Sequence, residues 1–218
     1  MITNLIIEKY GISTESEPSN NNYSMFNTGG VECEVGEFLY SLVRIQKPKN
    51  ILETGTHFGV SSTYLSLGLK HNRIGGFVTT LDTVYHKQAK EIHEKLEVNS
   101  FIKQIEMDVR DFKTNEQFDI ILLDTEPILR FDEFVRYYDN LVKGGIIIIH
   151  DLHPHLSYNT NYINNMQHWP YGDFRTRLGS YIKNHLIQTI SFKTPRGLTM
   201  FQKNSDEMSY IKYIKDEL

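Results

Sequence analysis

The sequence of 218 residues contains one cysteine, Cys33, so it offers no pair for an internal disulfide. Lys and Arg total 23 against 27 Asp and Glu, which leaves a formal net charge of -4 and no cationic excess to neutralise a phosphate backbone. No apolar run approaches the ~20 residues that a bilayer-spanning helix needs. The first residues, MITNLIIEKYGI, have neither a basic segment nor a continuous apolar one. We therefore expect a cytoplasmic protein that binds neither nucleic acid nor membranes.

Two glycine-rich nucleotide signatures are also missing. The chain has no G-x-x-x-x-G-K-[ST] phosphate loop, and its strand-to-helix glycines, Gly55 and Gly59, are spaced G-x-x-x-G rather than G-x-G-x-x-G. Both departures count against ATP and NAD as ligands. The last four residues do spell KDEL, but nothing directs the chain into the secretory pathway, so we interpret them as part of a polar tail.

The chain does contain an alternation of short apolar runs with segments of helical periodicity. Runs of this kind, each followed by a helix, are typical of parallel strands covered on both faces. The predicted strands are residues 50–54, 76–82, 101–107, 118–124, 146–150, 186–192 and 198–202, and the predicted helices are 34–45, 60–70, 86–98, 129–142 and 176–184.

The pattern predicts a doubly wound, Rossmann-like α/β fold with a seven-stranded, mostly parallel sheet. A turn-forming stretch, Thr194-Pro195-Arg196-Gly197, separates the last two strands and predicts a C-terminal antiparallel hairpin. We expect one domain over residues 1–218. Residues 1–33 would be a lid or flexible segment, 34–203 the core, and 204–218 the polar tail.

The segment after the first core strand, ETGTHFGVSS, is where a ligand should bind in such a sheet. Gly55 and Gly59 would let the backbone turn tightly, and Ser61 lies where a helix N-terminus offers free amide groups to an anionic group. The next strand ends at Asp82, which is placed to accept hydrogen bonds from ribose hydroxyls. Taken in order, these features indicate a nucleoside-containing cofactor.

At this point the sequence resembles a known family. ILETGTHFGVSSTYL, TTLD, FDIILLDTE and LVKGGIIIIHD are similar to class I S-adenosylmethionine-dependent methyltransferases. The likeness is to the branch that contains catechol and caffeoyl-CoA O-methyltransferases and the cephalosporin and macrolide O-methyltransferases, and it covers about residues 28–203. It implies S-adenosyl-L-methionine as cofactor and methyl transfer to a small hydroxylated acceptor.

Position by position, the resemblance implies a cofactor site. Glu53 would lie near the methionine amino group, with Gly55, Gly59 and the adjoining Thr56 forming the loop. Ser61 would bind the methionine carboxylate and Asp82 the ribose, while Asp108 falls near the adenine, a role that Val109 or Arg110 could take instead.

The resemblance also implies a divalent cation, often magnesium, that lowers the pKa of the acceptor hydroxyl. Its ligands would be Asp124 and, at the end of the fifth core strand, His150 and Asp151. Because the family has an acid where this chain has His150, the alternatives are another metal, ligation by the two aspartates with water, or no metal. Without a metal, His150 would be a general base. The alternative without chemistry is that His150 and Asp151 end a buried strand and bond to loop backbone. His153 and His155 follow in a loop and are assigned no role.

Aromatic and methionine side chains are frequent in two segments that would roof the cleft. They could line an apolar substrate pocket or form the interface of a homodimer. They are Tyr23, Met25, Phe26, Tyr158, Tyr162, Met166, Trp169 and Tyr171.

Three other functions stay open at this stage. One is a methyltransferase of the same fold that acts on nitrogen, a sugar or a peptide, and another is a nucleotide-binding oxidoreductase with an irregular glycine loop. The third is a nucleoside binder without chemistry.

Overall fold

The computed structural model describes residues 1–152 and 187–203, and every structural statement below concerns those residues. The α-helices are α1 (Ile2–Tyr10), α2 (Cys33–Gln46), α3 (Val60–Asn72), α4 (Lys87–Lys95) and α5 (Arg130–Tyr137). The strands are β1 (Thr14–Glu17), β2 (Asn20–Phe26), β3 (Asn50–Thr54), β4 (Phe77–Asp82), β5 (Ile102–Glu106), β6 (Phe118–Leu123), β7 (Leu141–His150), β8 (Ile187–Phe192) and β9 (Leu198–Lys203). Single 3₁₀ turns, Asn99–Phe101 and Tyr138–Asn140, lead into β5 and β7.

Seven strands form one twisted sheet in the order β5-β4-β3-β6-β7-β9-β8. The first five are parallel, while β9 pairs antiparallel with both β7 and β8. The predicted fold class is therefore confirmed, including the C-terminal hairpin. Strand order reverses between β3 and β6, so a crevice forms there at the carboxyl ends of the strands.

The core consists of two layers, because neighbouring residues of each central strand face opposite sides of the sheet. Ile51 and Ile148 pack with α1, α2 and α3 on one face, whereas Leu52 and Ile149 pack with α5 on the other. All four side chains are fully buried. The isoleucines of β7 thus pack into both layers of the core. For this reason the strand is a continuous apolar run and does not alternate between apolar and polar residues.

The N-terminal segment is more regular than a flexible lead-in. Residues 2–10 form α1, and β1 and β2 form a separate antiparallel hairpin. The Glu17 carboxylate closes the hairpin turn by accepting bonds from the Ser19 amide, the Ser19 hydroxyl and the Asn20 amide at 2.5–2.9 Å. Within the predicted lid or flexible segment, residues 1–33, the turn contacts of Glu17 thus order two strands that bury few side chains, and the role of this segment as a lid stays a prediction.

Strand β7 begins five residues earlier than predicted, at Leu141. Gly144 and Gly145 do not form a turn before the strand but lie inside it, beside a shift of register between β6 and β7. Gly144 has a φ of 78°, which disrupts the ladder without ending it. The predicted helix 176–184, His153 and His155, the aromatic residues between 158 and 171 and the KDEL tail lie outside the described residues. No helix among residues 1–152 and 187–203 is long and apolar enough to span a membrane.

Candidate functional site

A cavity of about 1070 Å³ lies at the carboxyl ends of the central strands. The predicted site residues that line it are Gly55, Thr56, Ser61, Asp82, Asp108, Asp124 and Asp151. Glu53, Gly59 and His150 are not among the lining residues, and they lie behind the cavity wall. The doubly wound topology accounts for this gathering, because it brings loops distant in sequence to the strand-order switch.

The two loop glycines are required by contacts within the protein. Gly55 has a φ of 91°, and a Cβ there would lie 2.4 Å from the Asp124 carbonyl oxygen. Gly59 has a φ of 78° and begins α3, where a Cβ would lie 2.8 Å from His93 Nε2 and 2.9 Å from the Ala89 Cβ. Gly55 therefore lets the loops after β3 and β6 touch, and Gly59 lets α4 pack on the start of α3.

Asp82 ends β4 with its carboxylate held by two backbone amides. His57 N donates to Oδ2 at 2.8 Å and Val84 N donates to Oδ1 at 3.2 Å. His57 adopts a positive φ of 44°, so the glycine loop bends toward this acid. Each oxygen has a second lone pair, and the carboxylate can therefore still accept bonds from a ligand in the cavity.

Glu53 is fully buried, and burial raises the pKa of its carboxyl to about 7, although the Ser61 and Thr80 hydroxyls work against this shift. Thr80 Oγ1 donates to Glu53 Oε2 at 2.5 Å and lies 2.6 Å from Thr56 Oγ1. Among the described residues, no group meets hydrogen-bond geometry at Glu53 Oε1. Glu53 is thus a buried acid with a raised pKa. Its hydrogen bond from Thr80, which also contacts Thr56, supports the glycine loop.

Ser61 and Asp108 line the cavity at separate places. Ser61 lies in the first turn of α3, where backbone amides have no intrahelical partner. Asp108 follows β5 and pairs with Arg110, whose Nη2 lies 2.5 Å from Oδ2. Hydrogen bonds from Arg110 lower the pKa of the Asp108 carboxyl to about 2, so this acid is ionised at neutral pH.

The structure brings together Asp124, His150 and Asp151, whose potential ligand atoms all lie within 4.8 Å of one another. His150 Nδ1 lies 3.0 Å from Asp124 Oδ1 and 3.4 Å from Asp151 Oδ1. Asp151 adopts a positive φ of 55°, which turns the chain sharply at the end of β7. Adjacent parallel strands, β6 and β7, explain the proximity.

Three charged residues that sequence reasoning missed complete this cluster. Buried Arg130 donates from Nη2 to Asp124 Oδ1 and to Asp151 Oδ2, both at 3.2 Å, and from Nη1 to the His150 carbonyl. Arg196, in the loop between β8 and β9, places Nε 2.9 Å from Asp151 Oδ1 and Nη2 3.1 Å from Asp151 Oδ2. Glu32, just before α2, lies 2.8 Å from His150 Nε2.

The surroundings of His150 determine its charge. Burial by itself would lower the pKa of the ring, but the Asp151, Asp124 and Glu32 carboxylates outweigh it and raise the pKa to about 10. Nδ1 faces an Asp124 oxygen and Nε2 faces a Glu32 oxygen, so a protonated ring has an acceptor for each of its N–H groups. The raised pKa favours the imidazolium form, and the ring is fully buried between the Asp124 and Glu32 carboxylates.

Comparisons with known proteins agree with this architecture. Residues 52–152 match the family described as Methyltransferase domain. A presumptive O-methyltransferase of Mycobacterium sp. (strain KMS) is 28% identical over 128 residues, which cover 56% of this chain and 57% of that protein. The chain therefore spans little more than half the length of the curated relatives it matches.

Solved structures share the fold at low sequence identity. An O-methyltransferase from Bacillus cereus in complex with S-adenosylhomocysteine has a TM-score of 0.64 at 24% identity and covers 80% of this chain and 82% of its own. A presumptive caffeoyl-CoA O-methyltransferase from Staphylococcus aureus has a TM-score of 0.66 at 19% identity and covers 81% of this chain and 86% of its own. At these identities the likeness shows the fold.

Proposed function

We propose, on the premise that residues 52–152 form a methyltransferase domain, that this chain transfers a methyl group from S-adenosylmethionine to an oxygen of a small hydroxylated acceptor. The observation that carries the proposal is a single cavity at the strand-order switch, lined at one side by Asp82 and at the other by Asp124 and Asp151. Cofactor and acceptor could therefore occupy one enclosure. The structures from Bacillus cereus and Staphylococcus aureus, both described as O-methyltransferases, support oxygen as the acceptor atom.

The lining residues fit the cofactor by their chemistry. The Asp82 carboxylate is oriented by backbone amides and would accept bonds from the two ribose hydroxyls. The first turn of α3, with Ser61, would hold the methionine carboxylate, and the loop after β5 would flank the adenine. Glu53 lies behind the loop, so in this proposal it supports the loop and acts on the methionine amino group through it.

Methyl transfer is an in-line displacement in which the acceptor oxygen bonds to the methyl carbon as the carbon–sulfur bond breaks. The sulfonium becomes the thioether of S-adenosylhomocysteine, and the acceptor hydroxyl loses its proton. The chain contributes by holding the two reactants about 3 Å apart and excluding water. The Asp124 carboxylate, which lines the cavity, is the group we propose as the proton acceptor.

The residues predicted as metal ligands do not fit a divalent cation. Arg130 pairs with both the Asp124 and the Asp151 carboxylates, Arg196 pairs with Asp151, and both ring nitrogens of His150 already face carboxylate oxygens. Hard cations prefer carboxylate oxygens without such cationic neighbours. We therefore derive no step that depends on a metal.

A cytoplasmic location, a homodimer and the absence of a nucleic-acid partner stay predictions. The net charge of -4 supports the last of them, because phosphate-backbone binding needs a cationic surface.

A transfer assay tests the proposed activity. Methyl-labelled S-adenosylmethionine would be incubated with phenolic, amine and sugar acceptors, and the label in each product measured. We expect label on a hydroxyl oxygen, with loss of turnover in Asp124→Asn and retention in the control Glu94→Gln, whose side chain is exposed on α4. Label on nitrogen would replace the O-methyltransferase by an N-methyltransferase, while binding without transfer to any acceptor would indicate a nucleoside binder.

A further inference from the structure

The bridging position between Asp124 and Asp151 is taken by a guanidinium nitrogen. Arg130 Nη2 lies 3.2 Å from an oxygen of each carboxylate. Arg130 cannot move aside easily, because its Nε donates to the Thr125 carbonyl at 3.0 Å, its Nη1 contacts the His150 carbonyl, and its side chain is 6% exposed. A divalent ion bound by both aspartates would have to displace this group.

A second guanidinium neutralises the other face of Asp151. Arg196 binds that carboxylate through Nε and Nη2, the two-point geometry that is the strongest form of such a pair. Its Nη1 donates to the Gly30 carbonyl at 2.9 Å, and its backbone amide donates to Glu32 at 3.2 Å. Arg196 therefore connects the β8–β9 loop to the N-terminal segment and to the end of β7.

The third candidate metal ligand, His150, also has both ring nitrogens in contact with carboxylates. Its ring is fully buried between Asp124 at 3.0 Å from Nδ1 and Glu32 at 2.8 Å from Nε2. Within residues 1–152 and 187–203, three carboxylates thus face two guanidinium groups and one imidazole ring in one connected network. Removing one partner of a buried ion pair is costly, so the network resists rearrangement around a metal.

We propose that this chain transfers methyl groups without a divalent cation, and that Arg130 and Arg196 hold the positive charge at the place where a metal would otherwise bind. The catalytic part of this proposal rests on the proposed function, whereas the exclusion of the ion is a property of the folded chain. The acceptor consequently gains no advantage from two adjacent oxygens that could chelate a metal. It is instead a hydroxyl acidic enough to give its proton to the Asp124 carboxylate, such as a phenol or an enol.

The test is a titration of the full chain with Mn²⁺. Binding is measured as the loss of the free Mn²⁺ signal in electron paramagnetic resonance. We expect the wild type to bind no Mn²⁺ below about 1 mM, the weak end of protein sites for hard cations. Arg130→Gln, which vacates the position between the two aspartates, and the double variant Arg130→Gln/Arg196→Met should each gain one site at least about tenfold tighter. The matched control Arg44→Met, which removes an exposed arginine far from the network, should gain none.

Two results would overturn the proposal. The first is one tight Mn²⁺ site in the wild type that is lost in Asp124→Asn. The second is no gain of binding in whichever Arg130 variants keep the wild-type circular dichroism spectrum. A parallel calorimetric titration with S-adenosylhomocysteine keeps the two hypotheses apart, because failure to bind it would count against the proposed function and leave the Mn²⁺ result standing.

Discussion

Replacing Gly55 by alanine tests whether the glycine loop is held against the β6 loop. The residue has a φ of 91°, and the added Cβ would lie 2.4 Å from the Asp124 carbonyl oxygen and 2.7 Å from its carbonyl carbon. The backbone conformation alone costs an alanine about 1–2 kcal/mol. Overpacking against a rigid backbone adds about 1–3 kcal/mol, so we expect a loss of about 2–5 kcal/mol in the free energy of unfolding. Urea unfolding followed by circular dichroism measures it.

Gly144→Ala is the matched control for that prediction. Gly144 has a φ of 78°, but an added Cβ would meet no atom within 4 Å. Gly144→Ala should therefore lower the free energy of unfolding only by the cost of the backbone conformation, about 1–2 kcal/mol. Equal losses in the two variants would refute the steric contact between the β3 and β6 loops and leave backbone strain as the whole effect.

Two further predictions concern buried titratable groups. Burial lowers the pKa of His93 to about 4 from 6.5, so its contribution to stability is complete above pH 6.5 and is lost as the pH falls toward 4. The difference in unfolding free energy between wild type and His93→Gln should shrink by up to about 3 kcal/mol over that window, and a constant difference would contradict the shifted pKa. Glu32→Gln should lose about 3–5 kcal/mol in urea unfolding because it removes the buried charged partner of His150 Nε2, whereas the exposed Glu34→Gln should lose about 1 kcal/mol or less. Similar losses of unfolding free energy in both variants would show that the buried Glu32–His150 pair contributes no more to stability than an exposed glutamate.

Strand periodicity predicted most of the sheet, because buried parallel strands are continuous apolar runs. The bounds of β3 agree with prediction at both ends, and those of β4, β5 and β6 differ by one residue at an end or at both. Helices α4 and α5 are shorter than predicted, since a 3₁₀ turn follows each within a few residues. The N-terminal hairpin escaped prediction because its strands face solvent on most positions, so no alternation of apolar and polar residues marks them.

The cofactor side of the cavity was more predictable than the charged cluster. Gly55, Ser61 and Asp82 lie within 27 positions of one another and follow from strand ends in one βαβ unit. Glu32 and His150 are 118 positions apart, and Arg196 and Glu32 are 164 apart. Pairs at such separations depend on tertiary packing, and a single sequence carries no local pattern for them. The one available hint was Arg130 in the helix that follows Asp124.

The central claim is that the cavity at the strand-order switch binds S-adenosylmethionine through Asp82. Calorimetric titration of the wild type with S-adenosylhomocysteine should show one site per chain, and NADH should give no binding heat. Asp82→Ala should weaken binding about 10- to 150-fold, the equivalent of about 1.5–3 kcal/mol for bonds to a charged acceptor, while the exposed control Glu94→Ala should leave it unchanged. Binding of NADH in place of S-adenosylhomocysteine, or equal affinity in wild type and Asp82→Ala, would contradict the account.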